Sequence, residues 1–207
     1  MEKKIIYVCT KGWNVIMRED WSNVSEDKLA KLFPIILKEH DPKWIEYYIL
    51  EKDYLQSVFG NHIIRISHIG STSIPGLIAK PTVDVLLEVI EDIDIEAITE
   101  KMLDEGYVVN AAKSDIITFI KGYTLRGFEG QAVHIHVRNY EDWGELYFRD
   151  FLILYPDVAR EYGKLKMRLK DQFLYDRDGY TEEKGQFIQK YTEQARREFP
   201  NRYYPMG

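Results

Sequence analysis

Apolar positions recur at two different periods along this chain, and each change of period marks a new element. Residues 4–10 and 13–18 are apolar and β-rich, broken at Lys11-Gly12, which predicts a small hairpin. From residue 25 the spacing turns helical. Leu29, Leu32, Phe33, Ile36 and Leu37 share a face over 25–40, with Ser25 placed to cap the start. Pro34 falls inside that pattern, so this helix is expected to start late or to kink. After Asp41-Pro42 a second amphipathic helix is predicted over 43–59, carrying Trp44, Tyr47, Tyr48, Leu50, Leu55 and Phe59, and Gly60-Asn61 ends it.

The middle of the chain changes to strand patterns. Residues 62–67 read as the first strand of a main sheet, followed by a Gly-Ser-Thr turn and a short helix, then a second strand over 82–90. A helix over about 94–105 stops at Gly106, and strand 107–110 follows. Residues 116–123 and 131–138 pair around a glycine-rich turn at 127–130. From Asp142 the pattern is helical: 143–154 and 157–172 split at Tyr155-Pro156, and 181–199 opens at Thr181 with a glutamate-rich first turn. A mixed sheet flanked by helices, with a helical C-terminal part and a small N-terminal hairpin, is an α+β plan.

Composition narrows the function classes. With 45% hydrophobic and 30% charged residues the chain falls among ordinary globular proteins rather than disordered ones. A net charge of −6 argues against an extended nucleic-acid surface, although local basic patches stay open. No apolar run approaches the roughly 20 residues that span a bilayer. Cys9 is the sole cysteine, which excludes an internal disulfide framework. A cytoplasmic location is the expectation, with no membrane partner.

The candidate chemistry sits in HIGSTSIPGLIAKPTVDVLLE, residues 68–88. Gly70, Ser71 and Thr72 offer small donors at a turn, the arrangement that receives phosphate oxygens. The returning strand brings Asp84 beside that turn, where a carboxylate would hold the divalent metal of a phosphate compound. Position 86, which shares the strand face of Asp84 at about 6.6 Å, is Leu86, and Glu88 lies about 13 Å along. A paired-carboxylate magnesium centre is therefore incomplete. His134 and His136 also share one strand face, about 6.6 Å apart. If their strand lies beside that of Asp84, one carboxylate and two imidazoles converge. That set suits zinc, manganese or iron(II) rather than magnesium, or serves as a phosphate clamp and proton shuttle. His68 either joins them or buttresses the turn. Lys80, Lys121, Arg138, Arg149 and Lys184 are candidate phosphate ligands. Tyr180 and Lys184, four apart at a helix start, form one turn placed to close over a ligand.

The Gly-Ser turn, spacer and strand aspartate resemble the nucleotidyltransferase superfamily of DNA polymerase beta, whose pattern continues as Asp-x-Asp or Asp-x-Glu. HIGSTSIPGLIAKPTVDVLLEV is more closely similar to the signature of the GrpB family, some of whose members are fused to dephospho-CoA kinase. The likeness extends to Asp41-Pro42-Lys43-Trp44, Phe119-Ile120-Lys121-Gly122, Val133-His134-Ile135-His136-Val137, Tyr147-Phe148-Arg149-Asp150-Phe151-Leu152, Tyr162-Gly163-Lys164-Leu165-Lys166 and Tyr180-Thr181-Glu182-Glu183-Lys184. It covers roughly residues 38–195 and leaves 1–37 as an extension expected to pack on the 38–207 domain. The resemblance implies a nucleotidyltransferase-like fold and a nucleotide or phosphate-containing small molecule as ligand. Asp84, His134 and His136 would act in catalysis and hold magnesium, manganese or zinc. Nucleotidyl or phosphoryl transfer is the leading expectation. A non-catalytic nucleotide-binding module, a metal-dependent phosphohydrolase and an accessory protein-interaction domain are the alternatives.

Overall fold

Strand β4 (Thr82–Val89) is the centre of the molecule, and its sequence TVDVLLEV explains why. In the computed structural model, which describes residues 7–10, 13–16, 24–91, 93–113 and 116–204, every residue of β4 is buried except Asp84, which is half-open. Burial on both faces calls for a near-continuous apolar run, and the run is interrupted at one position only.

On one side β4 pairs antiparallel with β3 (Ile63–Ile69), with Ile69 opposite Asp84. On the other it pairs parallel with β7 (Gly127–Asn139), with Asp84 opposite His134 and Leu86 opposite His136. β7 continues antiparallel to β6 (Ile116–Thr124), and β6 to β5 (Val108–Lys113). This mixed five-strand sheet runs β5-β6-β7-β4-β3. Two short strands, β1 (Tyr7–Thr10) and β2 (Trp13–Ile16), pair with each other, and Ile16 aligns with Val109 at the β5 edge. The rest of the expected hairpin, and the packing of its side chains, lie outside the described residues.

Alternation along the strands sends the two faces to different partners. Val83, Val85, Leu87 and Val89 of β4, with Val133, Ile135 and Val137 of β7, pack beneath α2 (Lys43–Phe59) and α3 (Ile95–Asp104) through Trp44, Leu55, Phe59 and Met102. The opposite face carries Asp84, Leu86, His134 and His136 toward the C-terminal helices, where Leu86 packs on Ile69 and on Leu146 of α4 (Gly144–Leu154). Three further helices complete that layer: α5 (Pro156–Gln172), α6 (Arg177–Glu183) and α7 (Gly185–Glu198).

The periodicity reading of α2 holds to its ends, with Gly60 at a positive φ of 52° closing the helix. Other expectations are corrected. The helix expected over 25–40 is α1 (Glu26–Leu32), capped by Ser25 through the Lys28 amide at 3.3 Å. Pro34 ends it rather than kinking it, because the residue before a proline is forced out of the α region. Beyond it Ile35 is buried against Leu169 and Tyr180, and Lys38 bridges Ala79, so this stretch is built into the domain. The β6–β7 turn lies before Gly127 instead of at 127–130, which lengthens the hairpin. The helix expected from Thr181 is two helices, with α6 starting at Arg177 under an Asp176 cap. The short helix expected after Gly70 is a single 3-10 turn, Ser71–Ser73.

Candidate functional site

The turn after β3 folds back so tightly that only glycine fits at 70. Gly70 has φ +69°, and a Cβ there would run into the Asp84 carboxylate, 3.1 Å from its Cγ. The turn is held from behind by a buried latch. Thr72 donates to the Thr82 carbonyl at 2.9 Å, so its oxygen accepts from His68 Nε2 at 3.0 Å. His68 is stacked on Tyr48 at 4.8 Å, and burial pushes its pKa down to about 4, keeping it neutral. His68 buttresses the turn. Thr72, expected to touch phosphate, is buried in the same latch and serves the turn instead.

In front of the turn the registers of β4 and β7 bring the expected trio together. Asp84 Oδ1 lies 3.2 Å from His134 Nδ1 and 3.6 Å from His136 Nε2, and the three candidate donor atoms all fall within 4.8 Å of one another. Tetrahedral zinc with ligands at about 2.0–2.2 Å would separate its donors by about 3.3–3.5 Å, close to the two distances from Asp84, so the set could draw in around a small divalent ion. The second nitrogen of His134 meets the Tyr123 hydroxyl at 2.8 Å, the outer partner that orients a metal-binding imidazole. Burial opposes ionisation of Asp84, but hydrogen bonds from His134 and His136 outweigh it and hold the carboxyl well below the usual range. Burial pushes His134 down, against the pull of Asp84. A neutral imidazole beside an ionised carboxylate is the protonation state a cation needs.

Beyond Asp84 opens a cavity of about 350 Å³ whose lining sets four cationic side chains against the carboxylates of Asp84 and Asp178. Lys80 reaches it from the start of β4, Lys166 from α5, Arg177 from α6 and Lys184 from the α6–α7 junction. Burial lowers Lys80 to about 7, with Arg177 and Lys184 adding to the shift. Burial likewise lowers Lys166 to about 7, reinforced by Lys184. Lys184 falls to about 8 by burial, although Asp84 pulls the other way. Its ammonium lies 4.2 Å from the Tyr180 ring, and both residues line the cavity. In a chain of net charge −6, this concentration of positive charge marks where an anion would be received.

Not every expected residue arrives here. Lys121 is on β6 but pairs with Glu51 of α2 at 2.7 Å and donates to Tyr107 at 3.1 Å. Arg138 pairs with Glu145 of α4 at 2.8 Å and lies over Trp143. Arg149 donates to the His68 carbonyl at 3.1 Å, securing β3 rather than facing the cavity. Conversely, residue type alone does not single out Tyr123, Tyr162, Lys166 and Arg177, which the structure places here. The available signal was Tyr162-x-x-x-Lys166, which places both residues on one helical face.

The family model described as GrpB protein matches residues 34–194. The chain is 35% identical over 163 residues to UPF0157 protein YqkA of Bacillus subtilis, covering 76% of this chain and 46% of that one. It therefore spans about half of that relative's length. It is 32% identical over 160 residues to the glutamate-rich protein GrpB of Alkalihalophilus pseudofirmus, covering 74% of this chain and 91% of the relative. Its fold is similar to the crystal structure of conserved protein GrpB from Enterococcus faecalis, at a TM-score of 0.70 and 28% identity, covering 79% of this chain and 99% of that one.

Proposed function

The chain belongs to the GrpB family, and from that premise we propose that it transfers a phosphoryl or nucleotidyl group from a nucleotide or similar phosphate compound, using a divalent metal held by Asp84, His134 and His136. The observation that carries this reading is a juxtaposition. A carboxylate and two imidazoles lie within 4.8 Å of one another, and two of the three, Asp84 and His134, line a cavity together with Lys80, Lys166, Arg177 and Lys184. The metal would polarise a phosphoryl oxygen. The cations would receive the remaining charge, which develops during transfer. Ser71, at the head of the turn, would donate to a phosphate oxygen. Gly70 lets the turn close directly against Asp84. The nucleotidyltransferase likeness belongs to this proposal and rests on the Gly-Ser turn returning to Asp84.

The second reading, a metal-dependent phosphohydrolase, is favoured by the donor set. One carboxylate and two imidazoles suit a single zinc or manganese that activates water. Leu86, buried under α4, builds no paired-carboxylate magnesium centre. No helix among the described residues is long and apolar enough to cross a membrane.

The test is a melting screen of metal-stripped protein with magnesium, manganese or zinc, each with and without nucleoside triphosphates, followed by product analysis. A ligand at a hundredfold its Kd adds about 2.7 kcal/mol to the folded state. Manganese or zinc should stabilise more than magnesium, and nucleotide should be consumed in the presence of the metal. Nucleotide bound but unchanged would replace the enzyme with a sensor. No metal and no nucleotide response would remove both readings.

A further inference from the structure

A buried ammonium is costly unless an anion faces it. Lys166 is 2% exposed, yet its Nζ donates to two neutral acceptors, Ser71 Oγ at 2.9 Å and the Ile78 carbonyl. Among the described residues no ion pair includes it. An ammonium carries three N–H donors, so these two acceptors leave one donor over. The ammonium lies over the Tyr162 ring, 4.7 Å from its centroid, a neutral partner that supplies no counter-charge, and the cavity opens beside it.

The placement is enforced locally. Gly163 lets α5 lie against the segment after the turn, since a Cβ there would meet Ile78 Cγ2 at 3.1 Å. Tyr162 and Lys166, one helical turn apart, then converge on Ser71, Tyr162 through its hydroxyl. Asp84 faces this corner from β4 and Lys80 from just before it, Arg177 and Tyr180 from α6, and Lys184 from the α6–α7 junction.

We propose that Lys166, with Ser71 and Tyr162, forms a phosphate-binding subsite beside the Asp84 cluster, in which the bound phosphate is the counter-ion that the fold leaves out. This rests on the reading of the cavity as a phosphate site and adds a specific residue to it. The lowered pKa of Lys166 agrees with an ammonium that lacks its counter-ion.

The test uses two probes on the full chain, without metal. Pyridoxal 5′-phosphate condenses with an amine near a phosphate site; a C–N bond forms, water leaves, and borohydride reduces the imine for peptide mapping. Lys166 should take the label at least tenfold faster than with pyridoxal, which lacks the phosphate, and pyrophosphate should protect it. In calorimetry, Lys166→Met should weaken pyrophosphate binding at least tenfold while Lys166→Arg keeps it within about threefold. Protected labelling confined to Lys80 or Lys184, or unchanged affinity in Lys166→Met, overturns the subsite and leaves the phosphate reading standing. Wild-type protein that binds no pyrophosphate and labels only on exposed lysines overturns both. The labelling uses wild-type protein, so it decides even if the variants fail to fold.

Discussion

Asp84 and Glu88 stand on the same face of β4, four residues apart, in opposite surroundings. Glu88 is fully enclosed and holds Arg65 by two bonds, at 2.5 and 2.7 Å, while accepting from the Glu141 amide at 3.3 Å. The Arg65 guanidinium is flanked by Tyr140 and Tyr203 at 4.9 and 5.1 Å. Charge there balances one to one, and nothing is left to bind. Asp84 is one carboxylate among two imidazoles and several cations, with 25% of its side chain exposed toward a cavity. Burial of charge is common to both places. Imbalance and access separate a site that holds the fold from one that awaits a ligand.

Leu86 stands between the two and tests the boundary. It is fully buried against Ile69 and Leu146. From the strand period alone, an aspartate at 86 should restore a paired-carboxylate face and raise magnesium affinity. The packing reverses that expectation. A carboxylate there has no solvent and no partner, so Leu86→Asp should cost at least about 4 kcal/mol in chemical denaturation and gain no magnesium. A folded variant that binds magnesium would show that α4 yields, and that the two regions are less distinct than their burial suggests.

The contrast sharpens when a cation is removed from each region. Arg65→Met leaves Glu88 buried and unpaired, which should cost about 3–5 kcal/mol. Lys166→Met removes a buried ammonium with no counter-ion among the described residues, and should leave the melting temperature unchanged or raised. Equal losses in the two variants would make the cavity corner as structural as the Glu88 pair.

A smaller effect is expected at the turn. Gly70→Ala places a side chain at φ +69° and presses on Asp84. It should cost about 1–2 kcal/mol from the backbone conformation. Displacement of Asp84 should also weaken manganese or zinc binding measured by calorimetry. Stability lost with metal affinity intact would place the ion elsewhere.

What the sequence disclosed follows from the range of each interaction. The ends of α2 are local events, a start after Asp41-Pro42 and a glycine stop, and they are legible. The shared face of His134 and His136 follows from strand period, and the Gly70–Asp84 approach from a strand–turn–strand pattern. Their mutual contact needs the β4–β7 register, which local pattern does not fix. Residue type groups Lys121 and Arg138 with the phosphate ligands, but their carboxylates come from α2 and α4, 70 and 7 residues away, as Glu51 and Glu145. Lys166 is not legible locally, because a lysine on an amphipathic helix reads as a solvated position, and the docking of α5 through Gly163 is what buries it.

The two regions also differ in how they respond to pH. Lys80 and Lys166 hold their protons to about pH 7 and Lys184 to about pH 8 in the folded chain, against 10.5 for a free lysine. Between pH 7 and 9 the unfolded chain therefore binds more protons than the folded one, and the free energy of unfolding rises with pH. The penalty is largest below pH 7, where all three are charged in both states, and it is relieved as pH climbs through the folded values. The combined slope should be positive throughout that window in metal-free buffer, read from urea denaturation. Lys166→Met should flatten it, and Arg65→Met should not, because Arg65 stays charged throughout. Pyrophosphate should act in the opposite sense. It binds the protonated lysines, so its stabilising increment should shrink between pH 7 and 9 while the free protein gains. If stability without ligand falls over that range, the lysines are fully charged in the folded chain and the charge imbalance at Asp84 is met within the protein, as it is at Glu88.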